Sequence, residues 1–91
     1  MSGTHQVWKF PLGDPDQTIE MPQGARILYV AAQTVPTIWA LVDPSLPLVK
    51  RRFITVGTGW DFDPTGLTYR GTADGIAGWM VFHVFEGDTD D

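Results

Sequence analysis

Proline and glycine interrupt this chain so often that no long helix can form in it. Seven prolines and ten glycines are spread over 91 residues, breaking it roughly every 8 to 12 residues, the spacing of small sandwiches and barrels. Between the breaks, apolar and polar residues alternate with the period of two that marks a half-buried strand. In 17–21, Ile19 and Met21 point one way and Thr18 and Glu20 the other. The pattern predicts strands at 7–12, 17–21, 26–33, 37–42, 49–56, 67–73 and 78–86, with a short helical turn near 14–17. The stretch 26–33 is apolar on both faces and is therefore expected to be a central strand; 37–42 shares the pattern. Short connections imply antiparallel pairing. The expected fold is all-β, about seven mostly antiparallel strands in a small sandwich or partly open barrel. One domain over 1–86 is expected, followed by an acidic, disordered tail over 87–91.

A domain this short buries only about 60–65% of its unfolded surface. Four Trp, five Phe and two Tyr must then supply much of the core. So thin a core with so many rings points to a homo-oligomer. Cysteine is absent, which excludes disulfides, thiolate metal sites and a Cys nucleophile. No apolar run approaches the roughly 20 residues of a helical membrane span. The start "MSGTHQVWKF" lacks the apolar region of a signal peptide, and Ser2 stands where a myristoylated chain has Gly. A soluble intracellular protein with no membrane partner is expected. The net charge is −5, and Asp88, Asp90 and Asp91 in the tail carry much of it. Duplex nucleic acid would require a basic face. The single basic run is Lys50-Arg51-Arg52, so no such partner is expected.

The stretch "FITVGTGWDFD", 53–63, invites three readings. A phosphate-binding P-loop needs a Lys after its last glycine and a helix beyond. Here Gly59 is followed by Trp60, Asp61 and Phe62. A dinucleotide fingerprint needs glycine at 62, which is Phe62. Asp61, Asp63 and Thr65 start like a calcium loop, but Thr72 stands where that loop needs Glu. The plain reading is a glycine-permitted turn or bulge whose aspartates make local turn bonds. His5 and His83 are far apart, and His83 reads as a satisfied strand histidine. Ser2 and Ser45 lie in no nucleophile motif, and Glu20 and Glu86 each end a strand, where solvent-facing roles are expected. No catalytic set and no cofactor are expected.

Lys50-Arg51-Arg52 begins a strand, where such charges often blunt an exposed edge. The alternative is an anion clamp, because arginine binds phosphate with two parallel bonds. The leading expectation is a non-enzymatic module that captures a small anionic ligand such as a nucleotide. Arg51 and Arg52 would hold phosphates, the Gly57, Thr58 and Gly59 amides would orient it, and Trp60 or Tyr69 would stack on a base. The second expectation is a protein-interaction or structural accessory factor that binds through an aromatic patch.

Five strings occur here in order: "VWKFPL", "QTIEMPQGARIL", "WALVDP", "VGTG" and "VFHVFE". Together, from about 7 to 86, they resemble a family of small proteins encoded by tailed bacteriophages and prophages, catalogued as a domain of unknown function. The resemblance implies a phage accessory protein in the host bacterial cytoplasm, and no particular activity. Family members commonly carry "GTGH" where this chain has Gly57-Thr58-Gly59-Trp60. Phages do encode small β-rich proteins that sequester nucleotide signals of bacterial immunity. By analogy of size and source, the implied partners are such a ligand, or a host or phage protein.

Overall fold

The computed structural model describes residues 3–89; Ser2, Asp90 and Asp91, and the expectations attached to them, lie outside the described residues. The strands are β1 (Gln6–Pro11), β2 (Asp16–Pro22), β3 (Arg26–Ala32), β4 (Pro36–Val42), β5 (Leu48–Gly57), β6 (Thr68–Ile76) and β7 (Met80–Gly87). They form a three-stranded sheet ordered β1-β4-β3 and a four-stranded sheet ordered β2-β5-β7-β6, with every ladder antiparallel. This is the expected all-β class, as two sheets and not a closed barrel. Each predicted strand exists. The helical turn near 14–17 does not: β2 already starts at Asp16, because Pro15 and the extended pairing of Asp16 with Ile54 leave no room for a coil.

The chain changes sheets at proline-bearing loops. The 12–15 loop carries β1 into β2, the 23–25 turn after Pro22 carries β2 back to β3, and 43–47 carries β4 into β5. Backbone bonds fasten these crossings: Leu12 N–H to Pro36 O at 2.8 Å, Gln23 N–H to Pro47 O at 2.8 Å and Thr55 N–H to Pro15 O at 2.7 Å. Asp43 caps its own loop, its Oδ1 accepting from both the Ser45 N–H and hydroxyl.

The core fills the space between the sheets. Ile38, Ala40, Val42 and Val30 contribute from one, Met21, Phe53, Ala73 and Val84 from the other, all buried. At one corner the sheets nearly touch. Gly71, at an irregularity of β6, lies so close to β3 that an added Cβ would sit 2.7 Å from Val30 Cβ. Close backbone approach is a recognised use of strand glycine.

Three expectations about placement need correction. β3 is an edge strand, not a central one; the central strand of its sheet is β4. Its second apolar face, with Leu28 and Tyr29, is exposed to solvent. Lys50-Arg51-Arg52 blunts no edge, since β5 lies between β2 and β7. Glu86 does not simply face solvent: its side chain is 14% exposed and is held by two arginines. In each case the partner comes from a distant part of the chain, which strand alternation cannot identify.

Candidate functional site

The 58–67 connection is long because of sheet order. β5 and β6 flank β7, so the chain must step across two strand spacings of about 4.8 Å each. It does so over the outer face of β7, where the Phe62 ring lies 5.2 Å from that of Phe85. Tyr69 also packs on Phe85, edge-on, with ring centroids 5.6 Å apart. Asp63 Oδ1 accepts from the Thr65 N–H at 3.0 Å. The side-chain and backbone bonds from Thr65 hold the Asp63 carboxyl below its ordinary range. This is the local turn role expected of these aspartates. Among the described residues, no group of three His, Asp or Glu is placed to hold a metal ion.

The glycine segment is a tight turn. Trp60 N–H bonds Gly57 O at 3.1 Å, with Gly59 at φ +89° in the position that demands glycine. Thr58 N–H is directed to Val81 O at 3.2 Å. The amides of Thr58 and Trp60 are therefore used within the fold. The turn lays the Trp60 indole across the bare backbone of Gly57, where an added Cβ would come within 2.6 Å of the ring. The indole also meets the Phe82 ring edge-on at 5.8 Å. Gly57→Ala is accordingly expected to lever Trp60 off its seat while costing only about 1 kcal/mol of stability, because a half-exposed ring can move. A changed Trp emission with a nearly unchanged melting curve is the predicted signature.

His83 is satisfied at both ring nitrogens. Nε2 lies 2.8 Å from Thr58 Oγ1 and Nδ1 3.2 Å from Thr72 Oγ1, and Thr72 is bonded in turn to Tyr69. This hydroxyl chain ties the glycine turn to β6.

Neither arginine is an open fork. Arg51 points to the inner face with Phe53, where Nε and Nη2 grip both Glu86 oxygens at 2.6 and 2.9 Å and Nη1 reaches Ala25 O. Arg70 adds a bond to Glu86 at 2.9 Å. Burial raises the Glu86 pKa, but the bonds and charges of Arg51 and then Arg70 outweigh it and hold the carboxyl below its ordinary range. Arg52 points to the outer face and is bidentate to Asp16 at 2.9 and 2.6 Å. That bond lowers the Asp16 pKa. The depression that Arg52 shares with Trp60 also holds Asp16, Asp61 and Asp63. Of the residues singled out from sequence, Gly57, Thr58, Gly59 and Trp60 form one unit. Arg52 borders it, Arg51 does not, and Tyr69 packs on the opposite face of the sheet from the Phe82 ring that Trp60 meets.

Trp79 is the surface residue that strand periodicity misplaces. It reads as the start of the last strand but lies in the turn before it, 77% exposed. The turn is closed by Gly78 N–H to Gly75 O at 3.0 Å and Trp79 N–H to Ile76 O at 3.2 Å, with Ala77 at φ +52°. A left-handed non-glycine residue is uncommon and often marks functional ground. The bulk of Trp79 beside an Asp-Gly turn was the available sequence signal. Trp60 and Trp79 border a groove of about 360 Å³ with Gly57, Thr58, Met80, Val81 and Phe82.

A family model described as a domain of unknown function (DUF7352) matches residues 3–91. No curated protein and no solved structure matches the chain.

Proposed function

Since the chain belongs to the DUF7352 family, a domain of unknown function, we propose on its own geometry that it is a non-catalytic binding protein that grips a partner protein in the groove between Trp60 and Trp79. The observation that carries this is the pair of indoles, 55% and 77% exposed, flanking a floor of Met80, Val81 and Phe82. Tryptophan is among the residues most enriched at binding hot spots, where an apolar pocket is sealed from water. The anionic-ligand alternative would require Arg51 and Arg52 to release Glu86 and Asp16, beside a depression rich in aspartate. The aromatic groove requires no such rearrangement.

On the resemblance of its sequence strings to phage and prophage proteins, the partner is a host or virion protein met in the bacterial cytoplasm. A second copy of this chain would use a different surface. Val7, Leu41, Trp39 and Tyr29 share the outer face of the three-stranded sheet, and the Trp39 and Tyr29 rings lie 5.9 Å apart. Sedimentation should then show a dimer or larger species that Tyr29→Asp dissociates; a native monomer would refute the oligomer.

The groove is tested by capture from infected cells with the native chain and with Trp79→Ala. One stoichiometric protein is expected on the native chain. Loss of a hot-spot indole should weaken its retention about 30-fold or more, the equivalent of at least 2 kcal/mol. Equal recovery by both would rule out the groove.

A further inference from the structure

A second cavity opens between the two sheets, and its chemistry differs from that of the groove. It holds about 250 Å³ and is walled by Leu12 and Pro36 from the first sheet's side and by Thr55, Ile76, Met80 and Phe82 from the second, with Trp60 at its border. Nearly all of that wall is hydrocarbon, ring or thioether. The polar side chains on it are Asp14, exposed in the 12–15 loop, and Thr55. Thr55 pairs with the buried Val84 and alternates with the buried Phe53, so its side chain faces between the sheets. Thr55 is 8% exposed, and its Oγ1 has no hydrogen-bond partner. Buried hydroxyls are almost always bonded, and each exception calls for an explanation.

We infer that this cleft is a binding site for a small, uncharged, largely apolar molecule carrying one hydrogen-bonding group, which pairs with the Thr55 hydroxyl. The size fits: a dry apolar cavity of about 150 Å³ accepts benzene, so this one takes a two-ring compound. The apolar wall makes burial of the molecule's hydrocarbon favourable and disfavours a charged one; Asp14, the charged side chain on the lining, lies exposed in the 12–15 loop and repels an anion. A turn of the flexible Met80 chain, or of the Thr55 side chain itself, brings the covered hydroxyl to the ligand. The site needs no partner in the Trp60–Trp79 groove and is tested separately from it.

The probes are 2-naphthol and naphthalene, which differ by one hydroxyl, titrated into the full chain with methyl groups followed by NMR. The native protein should bind 2-naphthol with shifts concentrated at Leu12, Thr55, Ile76 and Met80, and about 3- to 10-fold more tightly than naphthalene, the range of one net hydrogen bond. Thr55→Val keeps the shape and removes the hydroxyl. It should abolish the preference while leaving naphthalene affinity unchanged. The inference is overturned if saturating 2-naphthol moves no cleft methyl, or if Thr55→Val binds the two probes in the native ratio.

Discussion

Replacing Glu86 by Gln should be a strongly damaging change in this domain, costing on the order of 2 to 3 kcal/mol, below the roughly 3 to 5 kcal/mol of a fully buried pair because this one is only partly buried. Glu86 and Arg51 are 14% and 17% exposed, and Arg70 closes the group from the rim. Glutamine keeps the size but loses the charge that compensates two guanidinium groups. It leaves the largely covered Arg51 against a neutral amide, which is the costly half of breaking a desolvated pair. For a domain of this size each kcal/mol moves the midpoint by about 4–8 °C, so a fall of roughly 8–24 °C is expected on thermal unfolding. Asp16→Asn is the control. It breaks an equally well-formed bidentate pair, but one whose side chains are 35% and 56% exposed, so it should cost about 1 kcal/mol or less. Near-equal costs for the two would refute this ranking.

The same group sets an acid limit. Glu86 titrates below its ordinary value of 4.5 in the folded chain, so the unfolded chain takes up the proton first as pH falls. The stabilisation is complete at neutral pH. It declines once pH drops below about 4.5 and is lost as pH passes through the lower folded value. Denaturant titrations between pH 7 and 3 should show the native chain losing this increment while Glu86→Gln, already without it, stays flatter.

Gly71→Ala is the second large effect, at about 1–3 kcal/mol. A single methyl there would sit 2.7 Å from Val30 Cβ and 2.8 Å from Val30 Cγ2. Val30 is buried and β-branched, so it has no rotamer into which to retreat. The strain falls on the corner where β3 of one sheet meets β6 of the other, and must be relieved by parting the sheets. Gly13→Ala, where an added Cβ meets nothing within 4 Å, should change stability by less than about 0.5 kcal/mol. Urea midpoints for the two variants decide the matter; equal midpoints would mean the corner yields freely.

The candidate site was only partly readable from sequence. Gly57-Thr58-Gly59-Trp60 was legible as a turn, because a positive φ at Gly59 and a short backbone bond are local requirements. That Trp60 lies on Gly57 and Phe82 was not, since Phe82 arrives from β7. The adjacent arginines read as one clamp, yet strand alternation sends Arg51 inward and Arg52 outward. Their carboxylates lie 35 and 36 residues away. Trp79 fell into the rhythm of the last strand, although the Gly78 turn places it outside the ladder.

What the sequence alone determined was short-range: seven strands, their alternating faces away from the irregularities of β3 and β6, and the proline and glycine turns between them. These depend on φ/ψ preferences and a period of two, which a residue and its near neighbours specify. Tertiary structure alone decided which strands became edges, which charges found partners and which indoles stayed in water. Those outcomes depend on ladders formed between distant segments, such as β5 with β7 and the near contact of β3 with β6. Because β6 lies on the far side of β7, the 58–67 connection crosses the sheet; because Phe82 arrives from β7, the indole that the local turn presents finds its seat at the border of both the groove and the cleft.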